Sequence, residues 1–198
     1  MDISCFLALT YMNEDILYLI ALTQVPNIGI VNGKKLIEYC GSARNVFFEK
    51  KKILSKIHGI GDGIIDSLNS KKPLEAAEKE IEYATNNSIR IVSYMDTNYP
   101  KKLKSCHDSP IVLYIKGNVL PRKEKMLAVV GTRNATEYGR KACSRIINEL
   151  KDLDVGIVSG LAYGIDTCAH TAALSEGLST FAVLGTGFKT IYPYTNLH

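Results

Sequence analysis

The chain has 198 residues, 46% hydrophobic and 22% charged, enough for one large or two small domains and close to the globular average, which excludes a disordered chain. Its formal net charge is +4, but the surplus is local: residues 1–90 hold 11 basic and 11 acidic side chains, whereas residues 99–145 hold 11 basic ones against Asp108, Glu124 and Glu137, a balance of +8. Concentrated positive charge points to a polyanionic partner, the alternative being a solvated lysine-rich loop.

The N-terminus, Met1-Asp2-Ile3-Ser4-Cys5-Phe6, lacks a basic n-region, and no apolar run reaches the ~18 residues of a membrane span. The expectation is a cytoplasmic protein with no membrane partner. Met12-Asn13-Glu14-Asp15 opens the helical region well, so Met12 is an alternative start and the first eleven residues an upstream extension.

Residues 12–85 read as helices joined by glycine hinges. Pro26 closes the first helix, and Ile28-Gly29-Ile30-Val31-Asn32-Gly33-Lys34-Lys35 and Ile57-His58-Gly59-Ile60-Gly61-Asp62 each set a glycine turn before a new helix. The second resembles a helix-hairpin-helix element; the first is looser. Such turns let backbone N–H groups approach a phosphate, making Gly29, Gly33, Lys34, Gly59 and Gly61 candidates for contact with a DNA backbone. The competing reading is a plain helical hairpin, and Asp62 would repel a phosphate at the second turn. Pro73 to Tyr83 is an amphipathic helix with Leu74, Ala77 and Ile81 on one side. Asn86-Asn87-Ser88 ends it and sets a domain boundary near residue 86, giving a helical domain over 1–86 and a second domain over 87–198.

Beyond residue 89 the period changes. Ile89–Tyr94 and Ile111–Ile115 are short β-type runs around the basic connector Tyr99-Pro100-Lys101-Lys102-Leu103-Lys104. Apolar strands at Met126–Gly131, Val155–Gly160 and Thr180–Gly185 then alternate with helices from about Glu137 to Leu150 and Ile165 to Glu176. That pattern predicts βαβαβ, a parallel sheet covered on both faces. The fold class is α/β: an N-terminal helical, helix-hairpin-helix (SAM-like) module followed by a partial Rossmann-like parallel sheet.

All three strands end in glycine and small polar residues: Gly131-Thr132-Arg133, Ser159-Gly160-Leu161-Ala162-Tyr163-Gly164-Ile165-Asp166, and Gly185-Thr186-Gly187. These turns collect at the carboxyl ends of the strands, where ligands of such sheets bind. Free N–H groups, helix dipoles and the Arg133 fork suit a phosphate, with Thr132 and Ser159 as hydroxyl donors. The glycine fingerprints of dinucleotide folds and P-loops are absent. Asp166 and His170 lie four apart on one helix and read as structural: an acid complementing the helix dipole and bracing the glycine turn, and a half-buried packing histidine. The five cysteines are widely spaced and form no Cys-x-x-Cys pair, so no metal site and no cofactor is expected; Cys143 and Cys168 read as small core residues.

The runs Ala128-Val129-Val130-Gly131-Thr132-Arg133, Ser159 to His170, Val183-Leu184-Gly185-Thr186-Gly187 and Tyr192-Pro193-Tyr194-Thr195-Asn196 resemble the DNA-processing protein family DprA/Smf. The resemblance extends upstream through Tyr99-Pro100 and Leu113–Gly117 to the helical module. It implies a non-enzymatic, single-stranded DNA-binding protein that protects incoming strands during natural transformation and helps load the RecA recombinase. It also makes Arg133 the DNA-contacting arginine and places Gly131, Thr132, Ser159, Gly160 and Gly164 around its phosphate pocket; Tyr163, Gly185, Thr186, Gly187 and Asn196 join the candidate DNA-binding set. Many relatives carry Arg where Tyr163 stands, and often a basic residue where Tyr194 stands. Relatives continue past the Tyr-Pro-x-x-Asn motif with further strands and the motifs Phe-Pro-x-Arg-Asn-Arg and Ser-Gly-Ser-x-x-Thr-Ala, so the sequence reads as truncated after His198, with the homodimer surface lost along with that part. The alternative function is a Rossmann-like hydrolase of nucleoside phosphates, with Asp166 as the acid or base; a purely structural scaffold is a third option.

Overall fold

A computed structural model describes residues 15–117 and 125–196; the readings on Met1–Phe6 and Met12 lie outside them. The chain forms two compact units, divided between Leu120 and Pro121. No helix among the described residues is long and apolar enough to cross a membrane.

The first unit opens with α1 (15–24), followed by α2 (Ile30–Cys40), α3 (Ala43–Phe48), α4 (Lys51–Leu54), α5 (Asp62–Leu68) and α6 (Lys72–Asn86). Local chemistry sets the ends. Gly41 takes a left-handed φ of 84° to stop α2, and the Ser42 hydroxyl accepts from the Asn45 amide at 3.1 Å to start α3. Pro73 sits in the first turn of α6, where its missing N–H leaves no bond unmade. Leu19, Leu22, Leu36, Val46, Leu54 and Ile65 close one core between the helices. A smaller cluster packs Ile20 and Ala21 of α1 on Ala77 of α6.

Strands β1 (Arg90–Ser93) and β2 (Val112–Ile115) pair antiparallel, with the short helix α7 (Lys101–Lys104) between them in sequence. The basic connector is thus partly helical. Ile111 is buried in the helical core, and Ile91 and Val112 pack against the α1–α6 cluster. The pair therefore belongs with the helices, and the first unit runs well past the boundary read from composition near residue 86. Apolar side chains on both strands have their burial partners on α1 and α6, a non-local fact that composition does not carry.

The second unit is β3 (Lys125–Ala128), α8 (Glu137–Glu149), β4 (Val155–Ser159), α9 (Ile165–Ser175) and β5 (Ser179–Ala182), with two short 3-10 turns at Phe188–Thr190 and Tyr194–Asn196. The three strands are parallel in the order β3-β4-β5. α8 and α9 pack on each other, and α9 lies on β4 and β5. Ile147 of α8 and Ala169 and Ala173 of α9 close the core on Val155 and Ile157 of β4. The expectation of helices on both faces is corrected here. The strand order advances in one direction, so two right-handed crossovers put both helices on the same face; switching faces would need the order to reverse. Just past the ends of β3 and β5, Val130 and Val183 are 79% and 66% exposed.

Candidate nucleic-acid interface

The carboxyl ends of β3, β4 and β5 bring three glycine turns to one edge. The first two interlock. Gly164 has φ 82° and ψ −120°, a conformation open to glycine, and a β-carbon there would collide with the carbonyl oxygens of Thr132 and Arg133. The next amide, Ile165 N–H, donates to the Thr132 carbonyl at 3.1 Å. Gly131 is needed for the same crossing, since a β-carbon would stand 2.7 Å from Ile165 Cγ1. The Thr132 hydroxyl accepts from the Asn134 amide at 3.1 Å and turns the chain toward α8, whose N-cap Thr136 accepts from Gly139 N–H.

The turn between β4 and α9 is braced from several sides. Asp166 is buried, and its Oδ2 accepts from the amides of Gly160 and Ala162 at 3.2 and 3.3 Å. Gly160 leaves the room for that carboxylate: a β-carbon would lie 2.8 Å from Oδ2. The Thr167 hydroxyl donates to the Ala162 carbonyl at 2.7 Å, and the Asn196 amide donates to the Leu161 carbonyl at 2.9 Å and to the Thr167 hydroxyl at 2.7 Å. Leu161 sits at a positive φ of 64°, held there by these bonds. The Ser159 hydroxyl, buried, donates to the Val129 carbonyl at 2.7 Å and ties β4 to β3.

His170 completes the internal framework. The Thr180 hydroxyl donates to the Ile157 carbonyl at 3.2 Å, so it accepts from His170 Nδ1–H at 2.7 Å, leaving Nε2 unprotonated, buried and without a partner. Burial holds the imidazole below its ordinary pKa of 6.5, with Asp166 pulling the other way.

The open part of the edge is a cleft of about 710 Å³ lined by Arg133, Asn134, Ala135, Arg140, Tyr163, Gly164 and Tyr192. Both arginines are exposed and no acidic side chain lines the cleft. The Tyr163 and Tyr192 rings meet edge to face, centroids 5.4 Å apart at 88°, and remain 41% and 64% exposed. Two guanidinium forks beside two aromatic faces can bind phosphates and stack bases at once. Asp166, on which the hydrolase alternative rests, lies behind the cleft with an oxygen engaged by two amides rather than in its lining.

The sequence-predicted residues divide accordingly. Arg133, Tyr163 and Gly164 line the cleft; Gly131, Thr132 and Gly160 shape the turns behind it; Ser159 and Asn196 direct their donors inward. Gly185, Thr186 and Gly187 are exposed at the end of β5 but do not line the cleft. Arg140 and Asn134 escaped the sequence reading. The signal for Arg140 was its place in the basic run of residues 99–145, one turn of α8 after the glycine edge that carries Arg133.

The hairpin candidates lie on the first unit. Lys34 Nζ donates to the Ser109 hydroxyl at 2.6 Å and sits 5.6 Å from the centre of the Tyr94 ring. Gly33 is buried inside α2, a β-carbon there lying 2.6 Å from Ile111 Cδ1. The two hairpins face each other: Gly59, at φ 92°, backs onto Asn32, and Lys35 Nζ donates to the His58 carbonyl at 3.1 Å. Lys51 pairs with Asp62, the first residue of α5, and with Asp66 one turn on, at 3.3 and 3.4 Å. Gly29 and Gly61 are exposed, with open space where a β-carbon would go.

Fold and cleft together define a class: a Rossmann-like α/β unit carrying cations and aromatic faces at the strand-carboxyl edge, preceded by a helical unit. Residues 90–198 match the family of DNA recombination-mediator protein A, and the chain belongs to that family, DprA/Smf. It is 44% identical over 104 residues to the DNA processing protein DprA of Streptococcus pneumoniae, covering 52% of this chain and 36% of that one. It is 31% identical over 192 residues to the Smf protein of Synechocystis sp., covering 93% of this chain and 47% of the relative. The X-ray structure of DNA processing protein A from Streptococcus pneumoniae superimposes with a TM-score of 0.62 at 31% identity, over 89% of this chain and 60% of that one. The chain thus spans between about a third and a half of the length of these curated relatives.

Proposed function

We propose that the cleft at Arg133 and Arg140 binds single-stranded DNA, without catalysis, as part of a recombination mediator. The observation that carries this is the juxtaposition of two exposed guanidinium groups with the Tyr163–Tyr192 pair in an open cleft without acidic lining. A single strand offers phosphates and unstacked bases to such a surface at once, whereas a duplex hides its base faces. The basic surplus of residues 99–145 favours the same ligand. Gly29 and Gly61 on the first unit are the hairpin positions whose backbone is open to a second, sequence-independent phosphate contact. In the whole protein, by family, this activity shelters incoming DNA in the cytoplasm during natural transformation and delivers it to a RecA recombinase, with a homodimer as the working form.

The test is fluorescence anisotropy of labelled oligo-dT titrated with this chain at two salt concentrations, with matched duplex as competitor. Salt-sensitive binding that duplex competes poorly, and that weakens in Arg133→Ala, is the expected result. Binding unaffected by Arg133→Ala, or competed equally by duplex, overturns the assignment of the cleft.

A further inference from the structure

Beneath the cleft, Cys143 of α8 and Cys168 of α9 belong to one core cluster at the seam where the two helices pack. They differ in access. Cys143 is buried, whereas Cys168 is half-buried and lines the solvent-filled groove that continues from Arg140, Tyr163 and Gly164 along the seam. The Cys168 thiol also touches the Ser144 hydroxyl and the Arg140 carbonyl, each at 3.4 Å. Those contacts seat the Cys168 sulfur on the turn of α8 that carries Cys143, so a solvent-reachable thiol and a buried one share the seam, the arrangement of a sulfur that can be oxidised and a sulfur that can resolve it.

We propose that Cys143 and Cys168 form a peroxide-sensitive thiol pair that closes into a reversible disulfide joining α8 to α9. The Cys168 thiolate attacks a peroxide oxygen; the O–O bond breaks, a first water leaves, and Cys168 becomes the sulfenic acid. Cys143 then attacks that sulfur, the S–O bond breaks and a second water leaves. Two thiols lose two electrons and two protons in total to one hydrogen peroxide, giving one disulfide and two waters. Burial and the neighbouring Cys168 push the Cys143 thiol up to about 11, and conversion of Cys168 to the neutral sulfenic acid removes the second of those causes. Burial persists, so the resolving step is the slow one. The pair does not depend on what the cleft binds.

The test treats the folded chain with hydrogen peroxide, blocks remaining thiols with a maleimide and maps peptides by mass spectrometry. The expected result is loss of two of the five thiols, a linked peptide joining Cys143 to Cys168, and full recovery with dithiothreitol. Cys143→Ser is expected to abolish the link and leave Cys168 to collect sulfenic and higher acids, while Cys106→Ser, which removes an exposed cysteine, leaves the link intact. Cys168→Ala guards against a folding artefact, since it keeps a small apolar group in the seam and is also expected to lose the link. Oxidation that goes first to Cys106 or stops at Cys168 acids in the parent chain, or a link that forms without either cysteine, overturns the proposal.

Discussion

Gly164 passes so close to Thr132 that the two turns share one crossing point, with the amide after Gly164 bonded to the Thr132 carbonyl. A methyl group at 164 meets two carbonyl oxygens and a backbone conformation foreign to L-residues together. Gly164→Ala is therefore expected to destabilise the second unit by about 3 kcal/mol or more. Chemical denaturation followed by circular dichroism measures it; a loss below about 1 kcal/mol would mean the crossing relaxes freely.

Arg133 and Arg140 reach the cleft from different elements, the turn after β3 and the body of α8. If each meets a phosphate, Arg133→Ala and Arg140→Ala should weaken oligo-dT and mixed-sequence strands alike, and each should reduce the slope of log affinity against log salt by about 1. Anisotropy titrations at four salt concentrations give the slopes. A change in sequence preference with an unchanged slope contradicts phosphate contact.

The Tyr163 ring, 41% exposed, offers a stacking face in the cleft. Tyr163→Ala is expected to cost about 1–3 kcal/mol of strand affinity while Tyr163→Phe keeps most of it. Tyr163→Arg should exchange stacking for charge, steepening the salt dependence. Equal losses in the Ala and Phe variants would assign the role to the hydroxyl instead.

His170 links stability to pH. In the unfolded chain it titrates near 6.5, and in the fold burial holds it lower against the opposing pull of Asp166. Between those two values the unfolded state binds more protons, so stability falls as pH drops through that window and this residue adds no further loss below it. Urea midpoints measured from pH 7.5 to 4.5 should show the decline in the parent chain and a shallower one in His170→Gln. An identical decline in both would place the sensitivity elsewhere.

Much of this architecture was legible from local pattern. The β4 run of Val155–Ser159 and the start of α9 at Ile165 stand where the apolar run and the glycine turn put them, because strand period and helix entry are written in neighbouring residues. The placement of both helices on one face was not, since it depends on the order of β3, β4 and β5 rather than on any one segment. Lys34 illustrates the limit for the site: its pattern suits a hairpin cation, but its partner Ser109 lies 75 residues away. Ser159 and Asn196 likewise look like free donors in sequence, and their acceptors become visible once the strands and turns are packed.

The amide of Asn196 has a temporal consequence. It holds the carbonyl of Leu161, 35 residues upstream, in a turn whose backbone is unfavourable for leucine. A nascent chain leaving the ribosome can pair β3 with β4 and dock α9 well before that residue emerges, but the turn beside Tyr163 lacks its outer clasp until then. The scaffold of the second unit can thus form before the turn beside Tyr163 is clasped during synthesis.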